Sequence, residues 1–346
     1  MKIAFIINDI KTEKKGYTTV DLALTAHRMG HEIYVIGAGE LAYASDGFMT
    51  ARAYIVQETK YKSAENFLKA LQKSDPVTIN AKDLDVLFIR NDPSDDMNDR
   101  TWAQNSPYVF GQIAMRNGVL VLNHPVTLPN SINKMYFQHF PEIIRPKTII
   151  TRDVREIEDF FKEQKSRMIL KPLQGSGGKN VFLIEEKTKK NLKQIIEAIS
   201  RDGYIIAQEY LPKAVDGDTR MFLMNGEPLV VNGKYAAIRR VNNNGDIRSN
   251  IHAGGHPEKA KVDDDMLRLA DALRPKLIQD GMFLIGIDIV GDKLMEVNVF
   301  SPGTLNIMSK TYGVDFSKAV IQSIERKIRY KEIYGPDVNN ATLAVL

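Results

Sequence analysis

The chain contains no cysteine, which excludes disulfides, a thiolate nucleophile and a Cys-ligated zinc site. It also lacks any apolar run of about eighteen residues, the length a membrane-spanning helix needs. Its first apolar stretch, Met1 to Ile7, gives way at once to Asn8-Asp9, too short for the core of a signal peptide. These absences predict a cytoplasmic protein with no membrane partner. Charge of one sign is also lacking: 47 basic against 43 acidic residues leave +4 at pH 7, too little to suggest nucleic acid as a partner. Any anion binding must be local. Among the six histidines, His27/His31 and His252/His256 are four apart, but Gly30 and Gly254-Gly255 interrupt any helix that would align them. Acids, lysines and arginines must therefore carry the chemistry.

With 43% hydrophobic and 26% charged residues over 346 positions, the chain fits two or three packed globular units. Lys2 to Ile7 reads as a buried parallel strand, Thr18 to Met29 as a helix closed by Gly30, and His31 to Ile36 as a second strand, a βαβ start. Asp85 to Arg90 and Val119 to Asn123 repeat the buried-strand pattern around a helix near Tyr108 to Asn117, giving one α/β domain over 1–123. The proline-containing stretch from His124 to Asn130 is a linker. A second small unit spans 131–206, with a helix first, strands at Thr148 to Thr151 and Met168 to Lys171, and a charged helix from Val154 to Gln164. The unit over 207–330 is richer in strands, with turns at Asn225-Gly226 and Asn232-Gly233, a long loop Asn242 to Pro257 and a helix Asp264 to Gln279; 331–346 forms a tail.

Asp288, in Ile285-Gly286-Ile287-Asp288-Ile289, and Glu296 and Asn298, in Met295-Glu296-Val297-Asn298-Val299, stand in short apolar runs that read as buried strands. Buried carboxylates need a partner or a metal. Glu296 and Asn298, at i and i+2, project from one face of a strand. Gly291-Asp292 makes the two runs a hairpin. A three-residue loop, Gly291 to Lys293, would set Asp288 opposite Glu296, whereas a two-residue loop would send them to opposite faces, so a metal site requires the former. Oxygen ligands suit Mg²⁺ or Mn²⁺, and Mg²⁺ usually shares its sphere with substrate phosphates.

Phosphate-binding candidates lie upstream. Lys171 ends a strand and is followed by Gly175-Ser176-Gly177-Gly178, whose backbone N–H groups could close over phosphates, although this is not a P-loop. Lys134, opening a helix after Asn133, offers a second cation. Gln208, Glu209, Tyr210 and Leu211 end another strand and could meet adenine and ribose. Arg220, Arg240 and Arg248 are the guanidinium candidates at a charge-transfer point. Arg90 ends an apolar strand where a parallel sheet presents ligand contacts; it would hold a substrate carboxylate or be a surface arginine.

In this order, Lys134, Lys171 with its Gly-rich loop, Glu209-Tyr210-Leu211, Asp216-Gly217-Asp218-Thr219-Arg220 and the Asp288/Glu296/Asn298 set resemble the ATP-grasp carboxylate-amine ligases. Asp83 to Asp85, Ile89 to Pro93, Gln208 to Arg220, Asn225 to Pro228, Asn250 with Ala253-Gly254-Gly255, and Glu296 to Pro302 are more specifically similar to bacterial glutathione synthetases. The resemblance implies a fold of the α/β class, α+β in the grasp domains, with an ATP-grasp unit preceded by an N-terminal parallel-sheet pre-grasp domain. It implies ATP bound between central lid and C-terminal domain, with Asp218 among the nucleotide contacts and Mg²⁺ on Asp288, Glu296 and Asn298. It further implies Arg220 beside the γ-phosphate, Arg240 and Arg248 on a mobile loop at the acyl centre with Asn250 nearby, and Ser301, Pro302 and Gly303 near the acceptor. The expected reaction joins γ-glutamylcysteine to glycine, with release of ADP and phosphate. Another acid or amine, or a non-catalytic nucleotide-binding scaffold, are the alternatives.

The chain departs from that pattern where Asp9-Ile10 stands for the family's usual Asp-Pro, where His256-Pro257 follows Gly254-Gly255, and where Gly303-Thr304 follows Ser301-Pro302. The last two bear on the amine. The segment Val231 to Ala237 is also slightly longer than usual, and the tail after Tyr330 has no counterpart in the pattern. Exposed pre-grasp strands also lead us to expect a homo-oligomer.

Overall fold

The computed structural model of the protein describes residues 1–57, 60–97, 99–175, 180–201, 203–241 and 255–346. Strands β1 (Lys2–Ile7), β2 (Glu32–Gly37), β3 (Leu41–Tyr43), β4 (Met49–Ile55), β5 (Val77–Asn80), β6 (Val86–Ile89) and β7 (Leu120–Leu122) form the first sheet, in the order β3-β4-β2-β1-β6-β7 with β5 on β4. The β2-β1-β6-β7 part is parallel, as the unbroken apolar runs predict, and both of its faces are covered. Ile3 and Phe5 pack with Val20 and Leu24 of helix α1 (Thr18–Arg28), while Ala4 and Ile6 face the other cluster. The antiparallel extension β3-β4-β5 and helix α2 (Ala64–Lys73) went unread in the sequence. Helix α3 (Ser106–Arg116) covers the second face with Tyr108 and Ala114.

The second sheet is antiparallel, β8 (Thr148–Thr151), β9 (Arg167–Pro172), β10 (Phe182–Glu185) and β11 (Ile205–Glu209), in the order β10-β9-β11-β8. Helices α4 (Val154–Glu163) and α5 (Leu192–Ser200) pack on it through Ile157, Phe161, Leu192 and Ile196, a core of its own. Between the two sheets, Lys134–His139 is a 3-10 turn rather than a full helix, started by the Asn133 side chain accepting from Met135 N–H.

The third sheet follows from β12 (Asp218–Met224) and β13 (Glu227–Pro228), a small hairpin of β14 (Val230–Val231) and β15 (Lys234–Tyr235), then β16 (Ala237–Val241), β17 (His256–Lys259), β18 (Leu284–Val290) and β19 (Lys293–Asn298). Its order is β17-β16-β12-β18-β19. Asn225-Gly226 and Asn232-Gly233 make the two expected turns, with φ of 56° and 77°, and 50° and 71°, the left-handed pair a two-residue hairpin needs. His256 and Pro257, expected in a long loop, pair in β17 with Val241 and Arg240.

Helix α6 (Asp264–Gln279) lies as expected, and α7 (Leu305–Tyr312), α8 (Phe316–Tyr334) and α9 (Asn340–Val345) complete the chain. Two asparagines clamp the first sheet, one to the third unit and one to the tail. Asn123 Oδ1 accepts from Phe283 and Leu284 N–H, and its Nδ2 donates to the Val299 carbonyl at 2.7 Å. Asn340 bonds both backbone groups of Val121, at 2.8 and 2.9 Å, and so closes the free edge of β7 as another strand would. No helix of the described residues is long and apolar enough to cross a membrane.

Candidate active-site cleft

The β18–β19 hairpin sets the site by an unexpected route. Val290 pairs with Lys293, so the connection is the two-residue turn Gly291-Asp292, which would leave Asp288 and Glu296 on opposite faces. A register shift between Asp288 and Ile289 makes Met295 an extra residue in β19, and Asp288 then pairs with Glu296. The three-residue loop is therefore corrected, although the facing acids it was meant to explain are present. Glu296 and Asn298 line a cleft between the three units, and Asn298 Nδ2 approaches Asp288 Oδ2 at 3.4 Å.

Behind these residues lies a buried ion network. Arg220, opposite Asp288 on β12, donates Nε to Oδ1 and Nη2 to Oδ2, both at 2.7 Å. Arg240, opposite Asp218, donates to both Asp218 oxygens and reaches Asp288 Oδ2 at 2.9 Å. Burial alone would raise the Asp288 carboxyl, but Arg220 and Arg240 overcome it and hold it at about 2. Arg240 is likewise desolvated, yet Asp288 and Asp218 hold it above the ordinary arginine range. Arg240 is thus a strand residue, 3% exposed, and not part of a loop as the resemblance implied. Arg220, too, is committed to Asp288 and does not line the cleft. Two glycines make room: at Gly217, φ 95°, a Cβ would lie 2.1 Å from the Arg240 carbonyl oxygen, and at Gly286 one would lie 2.9 Å from Pro302. Arg248 and Asn250 lie outside the described residues, as do Ser176, Gly177 and Gly178.

On the facing wall, Lys134 Nζ donates to the Gly175 carbonyl at 2.7 Å and Lys171 Nζ to Gln208 Oε1 at 3.0 Å. Lys134, Lys171, Gly175 and Gln208 all line the same cleft as Glu296 and Asn298. Burial, then the neighbouring Lys134 charge, pull Lys171 down to about 8 against the opposing pull of Glu296. Burial also lowers Lys134, with Glu296 and Asp92 opposing. Among the described residues neither lysine has a carboxylate ion-pair partner, an arrangement that favours an anion between them. Glu209, Tyr210 and Leu211 are not among the lining residues: Glu209 accepts from Lys147 N–H at 2.9 Å, and the Arg167 guanidinium sits 3.9 Å from the Tyr210 ring centroid.

Ser301 and Pro302 line the cleft and Gly303 does not. Arg90 is 2% exposed, which removes the surface-arginine alternative. Its Nε donates to Thr19 Oγ1 at 3.3 Å and its Nη2 to the Pro302 carbonyl at 3.2 Å, while Nη1 is buried with no partner. Sequence reasoning missed Asp92 and Ser94, which also line the cleft; Asp92 Oδ1 accepts from Ser94 N–H, a helix-start pattern legible in Asp92-Pro93-Ser94. Two acids and an amide do not make a cluster of three metal-binding acids or histidines, and none occurs among the described residues. The donor set fits a hard cation in part: Glu296 and Asn298 line the cleft, and Asn298 turns its nitrogen to Asp288, directing its oxygen away, while Asp288 is held ionised behind them, does not line the cleft and gives both oxygens to Arg220 and Arg240.

Comparison with known proteins agrees with this arrangement. Residues 1–128 match the prokaryotic glutathione synthetase N-terminal domain and residues 133–313 the ATP-grasp domain of the same family. The glutathione synthetase of Brucella melitensis is 32% identical over 94% of this chain and 99% of its own length, and that of Vibrio cholerae is 30% identical over 95% and 98%. Among solved structures, D-cycloserine synthetase DcsG superposes with a TM-score of 0.61 at 13% identity, covering 94% of this chain and all of that one. D-alanine–D-alanine ligase from Bacillus anthracis gives 0.56 at 13% identity, covering 97% of this chain and 100% of its own. These distant structures share the ATP-grasp fold. With both of its domains matched and such relatives alike nearly from end to end, the chain belongs to the prokaryotic glutathione synthetase family and is an ATP-dependent ligase.

Proposed function

We propose that this enzyme joins γ-glutamylcysteine to glycine, forming glutathione while ATP is converted to ADP and phosphate. The observation that supports it best is the pairing of Lys134 and Lys171, without acid partners among the described residues, against Glu296 and Asn298 across one cleft. Amide formation from a carboxylate and an amine is unfavourable in water, so the carboxylate is first phosphorylated and the amine then attacks the acylphosphate. Such chemistry is mostly positioning and charge neutralisation. Lys134 and Lys171 bind phosphates beside Gly175, and Gln208 holds Lys171 in place. Glu209, Tyr210 and Leu211 take the adenosine end on the strength of their place in the motif order, and Arg248 and Asn250 the acyl centre on the same ground. Asp288, Glu296 and Asn298 would hold Mg²⁺ or Mn²⁺, which when bound would neutralise phosphate oxygens. Asp218 and Arg240, with Arg220, fix the charge and position of Asp288. Arg90 takes a substrate carboxylate, and Ser301 to Gly303 border the amine.

The test is ADP release with γ-glutamylcysteine and glycine, alanine, serine or no amine. Stoichiometric ADP and glutathione with glycine, and little ADP without an amine, is the expected result. ADP formation only with an unrelated acid would overturn the assignment.

A further inference from the structure

Beside Arg90 stands a second charge that no step above uses. Glu13 lies in the polar turn between β1 and α1, and its Oε2 is shut off from solvent with no hydrogen-bond partner. Arg90 Nη1 is in the same condition. The two groups feel each other: burial pushes the Glu13 carboxyl up to about 7 against the pull of Arg90, and burial draws Arg90 down to about 10 against the pull of Glu13. No ion pair joins them. Glu13 as a whole is half-buried and Arg90 fully buried, yet each keeps a shut-off charged atom unpartnered, which is costly when the two could close on each other.

The sheet brings the two together and Arg90 ties them to the cleft: β1 and β6 run side by side in parallel, with Ile6 opposite Ile89, so Arg90 and the turn that carries Glu13 leave the carboxyl ends of neighbouring strands. Arg90 donates to the carbonyl of Pro302, a cleft residue, and to Thr19, whose hydroxyl lies 3.5 Å from the hydroxyl of Ser301, another. A ligand that reaches past Ser301 and Pro302 therefore comes to the Arg90 guanidinium, with the Glu13 carboxylate on the turn that follows the neighbouring strand. A group that carries both an ammonium and a carboxylate, as the head of an α-amino acid does, satisfies both.

We propose that Glu13 and Arg90 together bind the α-amino-acid head of the acid substrate, Glu13 taking the ammonium and Arg90 the α-carboxylate. Glu13 is then a specificity-determining residue, selecting acids that carry a free amino group at the end remote from the reacting carboxyl. This rests on the acid proposed above, whose γ-glutamyl part has such a head.

The experiment measures kcat and KM of the full chain, as wild type, Glu13→Gln and Glu13→Asp, with three acids. These are γ-glutamylcysteine, glutarylcysteine, which lacks only the amino group, and 4-aminobutanoylcysteine, which lacks only the α-carboxylate. Wild type should prefer γ-glutamylcysteine over glutarylcysteine by at least about tenfold in kcat/KM, since a site built around a polar group rejects the analogue without it. Glu13→Gln should collapse that ratio by raising KM for both amino-bearing acids while leaving glutarylcysteine unchanged, and Glu13→Asp should restore part of it. An equal loss for all three acids would make Glu13 a structural residue and overturn the proposal. So would faster turnover of all three, which would mean that the carboxylate merely obstructs Arg90. Wild type that turns over γ-glutamylcysteine without discriminating overturns this inference alone; wild type that fails with γ-glutamylcysteine overturns the substrate assignment and this inference with it.

Discussion

Arg240 and Arg90 both stand behind the residues of one cleft and are buried alike, at 3% and 2% exposure, yet their surroundings are opposite. Arg240 meets two carboxylates and is held above the ordinary arginine range; Arg90 meets a hydroxyl and a carbonyl, and burial draws it down to about 10. The first arginine is satisfied within the chain and the second is not. A closed ion network fixes the geometry of an acid that must stay ionised, whereas a guanidinium with a donor left over keeps affinity for an incoming anion. One residue type is thus spent on framework in one place and, on the proposed reading, kept for a substrate in the other.

The comparison breaks most sharply in stability. Arg240→Met strands Asp218 and Asp288 without their shared counter-charge, and removing one partner from a buried network costs about 3–5 kcal/mol. Urea unfolding should show that loss, and turnover should vanish. Arg90→Met removes a cation whose desolvation no ion pair offsets, so its midpoint should stay close to wild type. Equal destabilisation of the two variants would refute the distinction.

Glu296→Gln separates chemistry from framework. Glu296 makes no part of the arginine network, so the fold should persist, with an unchanged circular dichroism spectrum and midpoint. Changes to groups behind a metal ligand already cost about 10- to 100-fold in affinity or activity, and replacing a ligand should cost more. Turnover within a few-fold of wild type would remove Glu296 from the metal site.

Arg90→Met should next show its receptor role in kinetics. Losing a charged contact to substrate should raise KM for the acid by about tenfold or more and leave nucleotide affinity alone, since Arg90 does not touch the lysine wall. A change in ATP affinity with no change for the acid would put Arg90 in the wrong half of the cleft.

Much of this site was legible because its residues break their own local pattern. Asp288 and Glu296 are acids in apolar strands, and Lys171 is a lysine at the end of one. The bulge was not legible: Met295 is as apolar as Leu294, and an extra residue leaves no compositional trace. Nor was the partner of Arg240, because Asp218, 22 residues earlier, faces it only through the β12–β16 pairing, with two further hairpins between. In the fold, β3 to β5 carry Thr, Ala and Arg in short runs that resemble loop. Asn123 read as a strand end and Asn340 as tail because their value lies in the backbone groups they satisfy across the molecule. Glu13, one charge among Lys11, Lys14 and Lys15, carries no signal until its burial is seen.

The smallest expected effect concerns the lysine wall and pH. Lys171 is pulled down to about 8, first by burial and then by Lys134, so it is protonated below that pH and increasingly neutral above it. ATP phosphates favour the charged form; nucleotide binding should therefore raise this pKa and take up a proton in the range above about 8, weakening with each further rise in pH. A group that binds only when protonated loses up to about tenfold in affinity between one unit below its pKa and one unit above. Calorimetric titration of ATP in buffers of different ionisation enthalpy reads both the affinity and the proton uptake. Lys171→Arg, always charged, should bind with a flat profile over the same range even if its fit is poorer. Wild-type affinity that is level through this range, with no proton taken up, would detach Lys171 from the phosphates and leave it as the hydrogen-bond partner of Gln208 alone.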